Sequence, residues 1–504
     1  MNTFSRRSFV RTAATSGLLA GFADLSFLSH LPGVSAAETE VPSELVALRP
    51  EIEPIARLIE DTNRDSLLEE MGRRVQKGLS YREVLSALLL AGVRNVEPKP
   101  VGFKFHAVLV VHASHLASIA SADKDRWLPI FWALDYFKDS QARNKREGNW
   151  RMKPVAESAV PPAHKARGAF IDAMESWDAA AADAAISSLA RHAGFGEIFE
   201  LLWRYGARDF HEIGHKAIYT ANTWRLLHTI GWQHAEPALR SLTYALLDHA
   251  GSTPDKRNPA HERPFHQNLA KLREIRSDWT EGKPSESGRA EMLDVLRQGS
   301  AEAASATAIQ LLNKGCAPDS LWDAYFQAAG EILIHQKGGV VPLHSVTATN
   351  ALHFAFQTAA SDENRRLLLL QTAAWLTMFR GQPRTEKDGL IDTFEPAPLK
   401  AEGPEALDEI FAAISTDRMT AARKALAYLK DQNRAHEMMT AARRFVFLKG
   451  RDAHDYKFSS AVLEDYYNVS PAWRARYLAA SVFNLTGSAA PDNKLVQRIA
   501  AALG

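Results

Sequence analysis

Apolar residues recur at helical spacing along almost the whole chain, and the alternating pattern of half-buried strands is nearly absent. A chain with this pattern buries its apolar faces by packing helix on helix. Ser80 and Glu83, for example, form a capping box that opens a helix, and Gly92 is expected to close it. The sequence therefore predicts an all-α fold of about sixteen helices with little or no sheet.

The predicted helices form four weakly related units, which span roughly residues 64–138, 178–250, 301–380 and 416–484. In each unit a pair of helices precedes a helix that contains a histidine, and an amphipathic helix follows it. We therefore expect residues 38–504 to form a single helical-repeat domain, either an α/α toroid or a solenoid. The alternative is one irregular helical domain.

Three long polar segments interrupt this pattern and are expected to be loops. They are residues 138–166, 251–286 and 380–404, and they are rich in proline or charged residues. For residues 138–166 and 380–404, such length favours lids or binding loops, and the alternative is a solvated connection.

Composition excludes several classes of function. The 504 residues carry a formal net charge of only +1, which gives no electrostatic argument for binding nucleic acid. Cys316 is the single cysteine, so no intramolecular disulfide can form. Beyond the N-terminal segment, the longest apolar run, residues 105–122, contains three histidines and is expected to be a buried helix. After removal of the leader we expect a soluble protein whose partner is a small-molecule substrate, with no membrane contact.

Residues 1–37 resemble a twin-arginine export signal. Ser5 precedes the pair Arg6-Arg7, Phe9 follows, a moderately apolar run comes next, and small residues at 34–37 provide a cleavage site. The resemblance implies export of the folded protein by the twin-arginine machinery to the periplasm or the exterior, often with a metal or redox cofactor already installed. The alternative is an uncleaved membrane anchor.

The segment His211-Glu212-Ile213-Gly214-His215 resembles the short motif of zincin metalloproteases. On a helix, His211 and His215 project from one face and can share a zinc ion, and Glu212 then acts as the catalytic residue on the bound water. His234 or Glu236 is a possible third ligand downstream. This resemblance implies a zinc-dependent hydrolase as one function for the chain.

The repeat pattern suggests a different metal site. His106, His215 and His344, with a weaker fourth instance at His454, recur every 109 to 129 residues. If the first three occupy equivalent positions on related helices, units closing around an axis bring their imidazoles together, which suits zinc, iron or copper. We therefore predict a transition-metal centre with His106, His211, His215 and His344 as ligands and Glu212 as base or ligand.

Carboxylates elsewhere in the chain can complete such a ligand shell, and Asp135 and Glu331 are candidates. The segment from His344 to Leu352 is also similar to helices of the questin-oxidase-like proteins, which are histidine-rich helical enzymes. This resemblance implies oxygenase or other oxidoreductase chemistry around His344. The prediction is thus an exported metal-binding oxidoreductase with a histidine-lined pocket; the alternatives are the hydrolase and a non-catalytic helical-repeat scaffold that binds a partner.

Overall fold

The computed structural model describes residues 45–382 and 389–504, and Val46–Gly504 form one compact unit. The described ranges contain 22 α-helices and no strand, so the predicted all-α class is confirmed and the expected number of about sixteen helices is too low. The helices are α1 (Glu53–Asp61), α2 (Arg64–Gln76), α3 (Tyr81–Asn95), α4 (His106–Ile119), α5 (Trp127–Arg146), α6 (Ala163–Glu175), α7 (Ala179–His192), α8 (Phe195–Gly206), α9 (His215–Ile230), α10 (Ala235–Leu246), α11 (Pro259–Lys271), α12 (Glu286–Gln298), α13 (Ala301–Asn313), α14 (Pro318–His335), α15 (Val340–Thr358), α16 (Asp362–Arg380), α17 (Gly403–Ile414), α18 (Arg418–Tyr428), α19 (Ala435–Lys449), α20 (Ala453–Asn468), α21 (Pro471–Ser481) and α22 (Leu495–Leu503). The leader predicted at residues 1–37 lies outside the described residues.

Four inner helices form a closed ring. Helix α4 packs against α9, α9 against α15, α15 against α20, and α20 packs back against α4. Each is buried along most of its length, as expected for helices surrounded by other helices, although α9 and α20 contain many polar residues. The ring therefore supplies an axis on which side chains from distant parts of the chain meet.

Each inner helix is flanked by the helix before it and the helix after it in the sequence. Helix α4 lies between α3 and α5, α9 between α8 and α10, α15 between α14 and α16, and α20 between α19 and α21. The same local packing thus occurs four times, in the order in which the sequence pattern places its histidine-containing helices.

Two of the polar segments expected to be loops contain helix. Helix α5 continues to Arg146, well into the segment 138–166, and α11 occupies Pro259–Lys271 within 251–286. The third segment, 380–404, lies partly outside the described residues. Helix α11 is mostly polar, so its sequence lacks the apolar periodicity that indicates the other helices.

Gly92 does not end its helix as expected. Helix α3 begins with the predicted capping box of Ser80 and Glu83 but continues to Asn95. A Cβ atom at Gly92 would lie 3.0 Å from Val108 Cγ2 on α4. The glycine therefore permits close packing between an outer and an inner helix.

The described ranges contain no helix that combines the length and the apolar character needed to cross a bilayer.

Candidate metal centre

Four histidines stand at the N-terminal ends of the four inner helices. His106 and His215 are the first residues of α4 and α9, His454 is the second residue of α20, and His344 lies in the first turn and a half of α15. Because these rings meet, the N-termini of all four helices lie at the same end of the ring. One side chain from each unit therefore reaches a common centre.

The imidazole nitrogens of this four-histidine centre are close together. His215 Nε2 lies 2.9 Å from His106 Nε2 and 2.9 Å from His344 Nε2. The ring of His454 lies 4.6 Å from that of His106 and 5.3 Å from that of His344, measured between centroids. One ligand nitrogen from each of His106, His344 and His454 lies within 4.8 Å of the others, so the group can hold a metal ion.

The other ring nitrogen of these histidines is held by the protein. His215 Nδ1–H donates to the Glu212 carbonyl and His344 Nδ1–H donates to the Val340 carbonyl, both over 2.7 Å. His106 also forms a hydrogen bond with the Phe103 backbone. Because a carbonyl only accepts, Nδ1 of His215 and of His344 carries the proton, and the Nε2 lone pair of each ring points to the centre. Hydrogen bonds of this kind orient metal-binding histidines.

His454 is oriented by a carboxylate instead of a carbonyl. Its Nδ1 lies 3.3 Å from Asp452 Oδ1, and the same carboxylate caps α20 by accepting from the backbone N–H of His454. The Nε2 atom of His454 is buried and has no hydrogen-bond partner among the described residues. A carboxylate–histidine pair with a free Nε2 is a common arrangement at metal sites.

The centre favours a cation over empty space. In the neutral rings the Nε2 lone pairs of His215 and His344 face each other over 2.9 Å, which is repulsive unless a proton or a metal ion lies between them. Burial lowers the pKa of His106, His215 and His344 well below the ordinary value for imidazole, so protonation of the rings is disfavoured. A metal ion bound between the rings would satisfy both lone pairs.

A buried lysine borders the centre. Lys457 lies one turn after His454 on α20, and its Nζ is 3.5 Å from His215 Nε2. Burial lowers the pKa of Lys457 to about 7, although the carboxylate of Asp452 acts in the opposite direction. The side chain is therefore neutral for much of the time near pH 7, and a neutral amine is compatible with a neighbouring metal ion.

The zincin-like segment does not form a continuous helix, so the prediction that His211 and His215 share one helix face is wrong. Glu212 has φ 58° and Ile213 φ 47°, and Gly214 follows with φ 84°. These three left-handed residues turn the chain between the short 3₁₀ segment His211–Gly214 and helix α9. Left-handed backbone costs roughly 1–2 kcal/mol per non-glycine residue, so the surrounding structure must hold the turn in place.

This turn performs two functions for the site. It points the Glu212 carbonyl at His215 Nδ1, and it brings the side chain of Glu212 to His211 and Asp248. The last three form a second group whose ligand atoms lie within 4.8 Å of one another. His211 and Glu212 thus belong to a different group from the four-histidine centre, and the main contact of Glu212 with the centre is made by its backbone. Burial and the neighbouring carboxylate of Asp248 raise the pKa of Glu212.

Of the four histidines predicted as metal ligands, the structure brings together His106, His215 and His344 and places His211 elsewhere. His454 joins them, and its signal in the sequence was its spacing from His344. The carboxylates considered as further ligands are engaged in ion pairs, Asp135 with Arg64 and Glu331 with Arg297. Neither carboxylate belongs to a group of possible metal ligands in the described residues.

The two candidates for a third zincin ligand also lie outside the groups of possible metal ligands. Glu236 forms an ion pair with Arg191, and His234 is a buried residue at the start of α10 whose pKa burial lowers. Neither belongs to a group of possible metal ligands in the described part of the chain.

Exposed apolar residues precede two of the centre's histidines in the sequence. Phe103, three residues before His106, is 55% exposed, and Val340 and Val341, just before His344, are 54% and 42% exposed. They are three of the five large hydrophobic side chains that are exposed in the described ranges. Their exposure would allow contact with an apolar ligand.

No protein-family model matches this chain, and neither a curated protein nor a solved structure matches it. Its function is therefore inferred from its own residues.

Proposed function

We propose that the four-histidine centre binds iron or copper and that the protein is a metal-dependent oxidoreductase of oxygenase type. The observation that supports this is the convergence of the four imidazoles. Nδ1 of His215 and of His344 bonds a backbone carbonyl, and Nδ1 of His454 lies beside a carboxylate. The ligands are all neutral nitrogens, which suits zinc, copper, iron and nickel and does not suit magnesium or calcium.

Two of the nitrogen–nitrogen distances are compatible with iron or copper. Two nitrogens bound about 2.05 Å from one ion lie about 2.9 Å apart at a ligand angle of 90°, but about 3.35 Å apart in a tetrahedral zinc site. His215 Nε2 lies 2.9 Å from both of its neighbours. An iron or copper ion held by these imidazoles would supply redox chemistry and could take a substrate or oxygen as a further ligand.

The four histidines would hold the ion, and a redox-active ion there would supply electron exchange with the substrate or with dioxygen. The protein residues hold the ion, exclude water through burial, and provide Lys457 as an amine whose pKa of about 7 suits proton transfer. We infer that Phe103, Val340 and Val341 hold an apolar substrate next to the centre. The resemblance to questin-oxidase-like proteins around His344 remains a prediction in the same direction.

Metal analysis of untagged protein tests the proposal. We expect about one equivalent of iron or copper per chain, and less than about 0.2 equivalents in His215→Ala. His164→Ala, which removes an exposed histidine far along the sequence from the ring, is the control and should keep the metal. A full equivalent of zinc alone contradicts the redox assignment, and the absence of any transition metal from the wild-type protein contradicts the metal centre itself.

The second group, His211, Glu212 and Asp248, keeps a hydrolase as an alternative. A zinc hydrolase that uses this group needs Glu212 or Asp248 as a ligand or base, so Glu212→Gln would abolish hydrolysis and leave the four-histidine centre loaded. An oxidoreductase acting at the four-histidine centre would keep its metal and its activity largely unchanged in the same variant.

Export is part of the same proposal. A protein that folds around a metal ion before export needs a route that carries folded chains, and the resemblance of residues 1–37 to a twin-arginine signal provides one. The mature protein would then act in the periplasm or outside the cell. Fusion of residues 1–37 to a reporter protein tests this, and substitution of Arg6 and Arg7 by lysine should prevent export.

A further inference from the structure

Arg443 is a buried arginine that lacks a carboxylate partner. Five arginines of the described chain are buried, and four of them have a carboxylate oxygen within 4.0 Å; these are Arg94, Arg208, Arg240 and Arg289. Arg443 on α19 is 8% exposed, and its one side-chain hydrogen bond in the described residues is a long one of 3.4 Å to Thr440 Oγ1. A buried guanidinium without a counter-ion is costly, so such groups are normally paired.

The guanidinium of Arg443 belongs to the lining of a cavity of about 260 Å³. The cavity lies where α19 covers the seam between inner helices α4 and α20, and its walls are formed largely by Leu116, Met439 and Leu463. Two further large hydrophobic side chains at its edge are exposed, Ile119 at 52% and Tyr467 at 60%. Together with the three that precede the centre's histidines in the sequence, they account for all five exposed large hydrophobics of the described chain.

The carboxylate that also lines the cavity is engaged elsewhere. Glu464 accepts hydrogen bonds from Arg225 over 2.5 Å and from Asn350 over 2.8 Å. Ser460, on the cavity floor, donates to the Ala113 carbonyl on α4. Glu464 and Ser460 are thus both hydrogen-bonded within the protein, whereas most of the N–H groups of Arg443 have no hydrogen-bond partner among the described residues.

We propose that this cavity is a binding site for a small carboxylate that carries an apolar ring or chain. A planar carboxylate matches the two parallel N–H groups of a guanidinium, and the apolar walls cover the rest of such a ligand. The volume is slightly below the usual range for drug-sized ligands, which suits a compound of roughly a dozen non-hydrogen atoms. A phosphate ion shares the charge but gains nothing from the apolar walls.

The site is separate from the metal centre. Leu116 lies ten residues after His106 on α4, and Glu464 lies ten residues after His454 on α20. At a rise of 1.5 Å per residue, both are about 15 Å along the helix axes from the centre. A ligand in this cavity therefore bridges the two inner helices near their C-terminal ends and does not contact the metal.

Calorimetric titration of the full-length protein with 4-phenylbutyrate, 4-phenylbutanamide and inorganic phosphate tests the proposal. We expect the carboxylate to bind roughly ten- to a hundredfold more tightly than the neutral amide, because a hydrogen bond to a charged group is lost in the amide. Phosphate should bind more weakly than the carboxylate. Arg443→Met should remove the preference for the carboxylate, whereas Arg444→Met, which removes an exposed charge from the next position on α19, should leave it unchanged.

Two further variants keep the proposal falsifiable if Arg443→Met does not fold. Ala117→Phe fills the cavity from α4 and should abolish binding while Arg443 stays in place. His215→Ala should leave binding intact, since a carboxylate that bound the metal would lose its site. Equal affinity for phenylbutyrate and its amide, or undiminished binding in Arg443→Met or Ala117→Phe, overturns the proposal, as does failure of the wild-type protein to bind phenylbutyrate.

Discussion

His215 Nε2 lies 2.9 Å from His344 Nε2, although each ring has already committed its Nδ1 proton to a backbone carbonyl. The two histidines are 129 positions apart in the sequence and lie on different inner helices. Two lone pairs at this distance are stable together only with a cation between them, and burial disfavours a proton. The fold therefore brings together imidazole nitrogens that could hold a metal ion.

Replacement of Asp452 should weaken metal binding through His454. Asp452→Ala removes the carboxylate beside Nδ1 of this ring, and loss of such a partner typically costs ten- to a hundredfold in metal affinity. Asp452→Asn keeps an oxygen acceptor and a good helix cap, so its loss should be smaller. Competition with a coloured chelator measures both affinities.

Asp417→Ala is the matched control for this experiment. Asp417 caps α18 by accepting from the backbone N–H groups of Met419 and Thr420. Its removal should cost a similar amount of helix stability, about 1 kcal/mol, without changing metal affinity. A comparable loss of affinity in both variants would show that Asp452 acts only as a helix cap.

Replacement of Lys457 by methionine should stabilise the metal-free protein at low pH. The pKa of Lys457 is about 7 in the folded chain and about 10.4 in the unfolded chain, so the unfolded chain binds more protons between these values. The contribution of Lys457 to the free energy of unfolding therefore increases from pH 7 to pH 10. Lys457→Met lacks this dependence, and we expect a gain of about 1–4 kcal/mol at pH 6 that shrinks towards pH 10.

Urea unfolding of chelator-treated protein at pH 6 and pH 9 measures this difference. Lys138 provides the control, because burial lowers its pKa to about 8 but its ammonium group donates to the Ile59 and Glu60 carbonyls and to Gln141. Lys138→Met leaves these acceptors unsatisfied and should destabilise the protein. Destabilisation of Lys457→Met at pH 6 would show that its amine also has favourable contacts.

Part of the site could be predicted from the sequence, and part could not. Equivalent positions in successive units predicted that His106, His215 and His344 approach one another, because a closed ring of repeats brings equivalent residues to one axis. His454 follows the same spacing, but the fourth unit resembles the others weakly and was left out of the predicted ligands. A spacing rule applied equally to all four units would have included it.

The zincin-like segment shows why a short motif is a weak guide to geometry. Five residues that match a helical motif contain a left-handed turn here, and periodicity cannot reveal the sign of φ at Glu212 and Ile213. Gly214 was the one residue of the segment that argued against a helix, since glycine weakens a helix and favours left-handed backbone.

The start of helix α11 could also be predicted from the sequence, because Asn258 caps the helix and Pro259 is its first residue.

Gly214→Ala should destabilise the protein and weaken its metal binding. The residue has φ 84°, and a Cβ atom there would lie 2.7 Å from Ala348 Cβ on the neighbouring inner helix. Left-handed strain and overpacking together should cost about 2–4 kcal/mol. Because His215 follows directly, the displaced backbone should also lower metal affinity. Thermal unfolding and chelator competition measure the two effects.

Gly168→Ala separates this effect from that of adding a methyl group in general. Gly168 lies within α6, and a Cβ atom there meets nothing within 4 Å. This substitution should stabilise the protein by about 0.5–1 kcal/mol and leave metal affinity unchanged. A stable Gly214→Ala variant with unaltered metal affinity would refute the proposed role of the left-handed turn.

His353 should make the protein sensitive to acid independently of the metal. It lies on inner helix α15 against Trp322 and Phe326, and burial lowers its pKa to about 3. An unfolded histidine has a pKa of about 6.5, so the unfolded chain binds more protons between pH 3 and pH 6.5 and the free energy of unfolding falls as the pH drops through this range. His353→Phe keeps an aromatic ring and removes the titration. We expect its stability relative to the wild type to improve by about 2 kcal/mol between pH 7.5 and pH 5.

Urea unfolding of chelator-treated protein at these two pH values measures this change, and His164→Phe, at an exposed position, should show none. Parallel pH profiles for the wild type and His353→Phe would mean that the buried imidazole takes up a proton without leaving its aromatic surroundings.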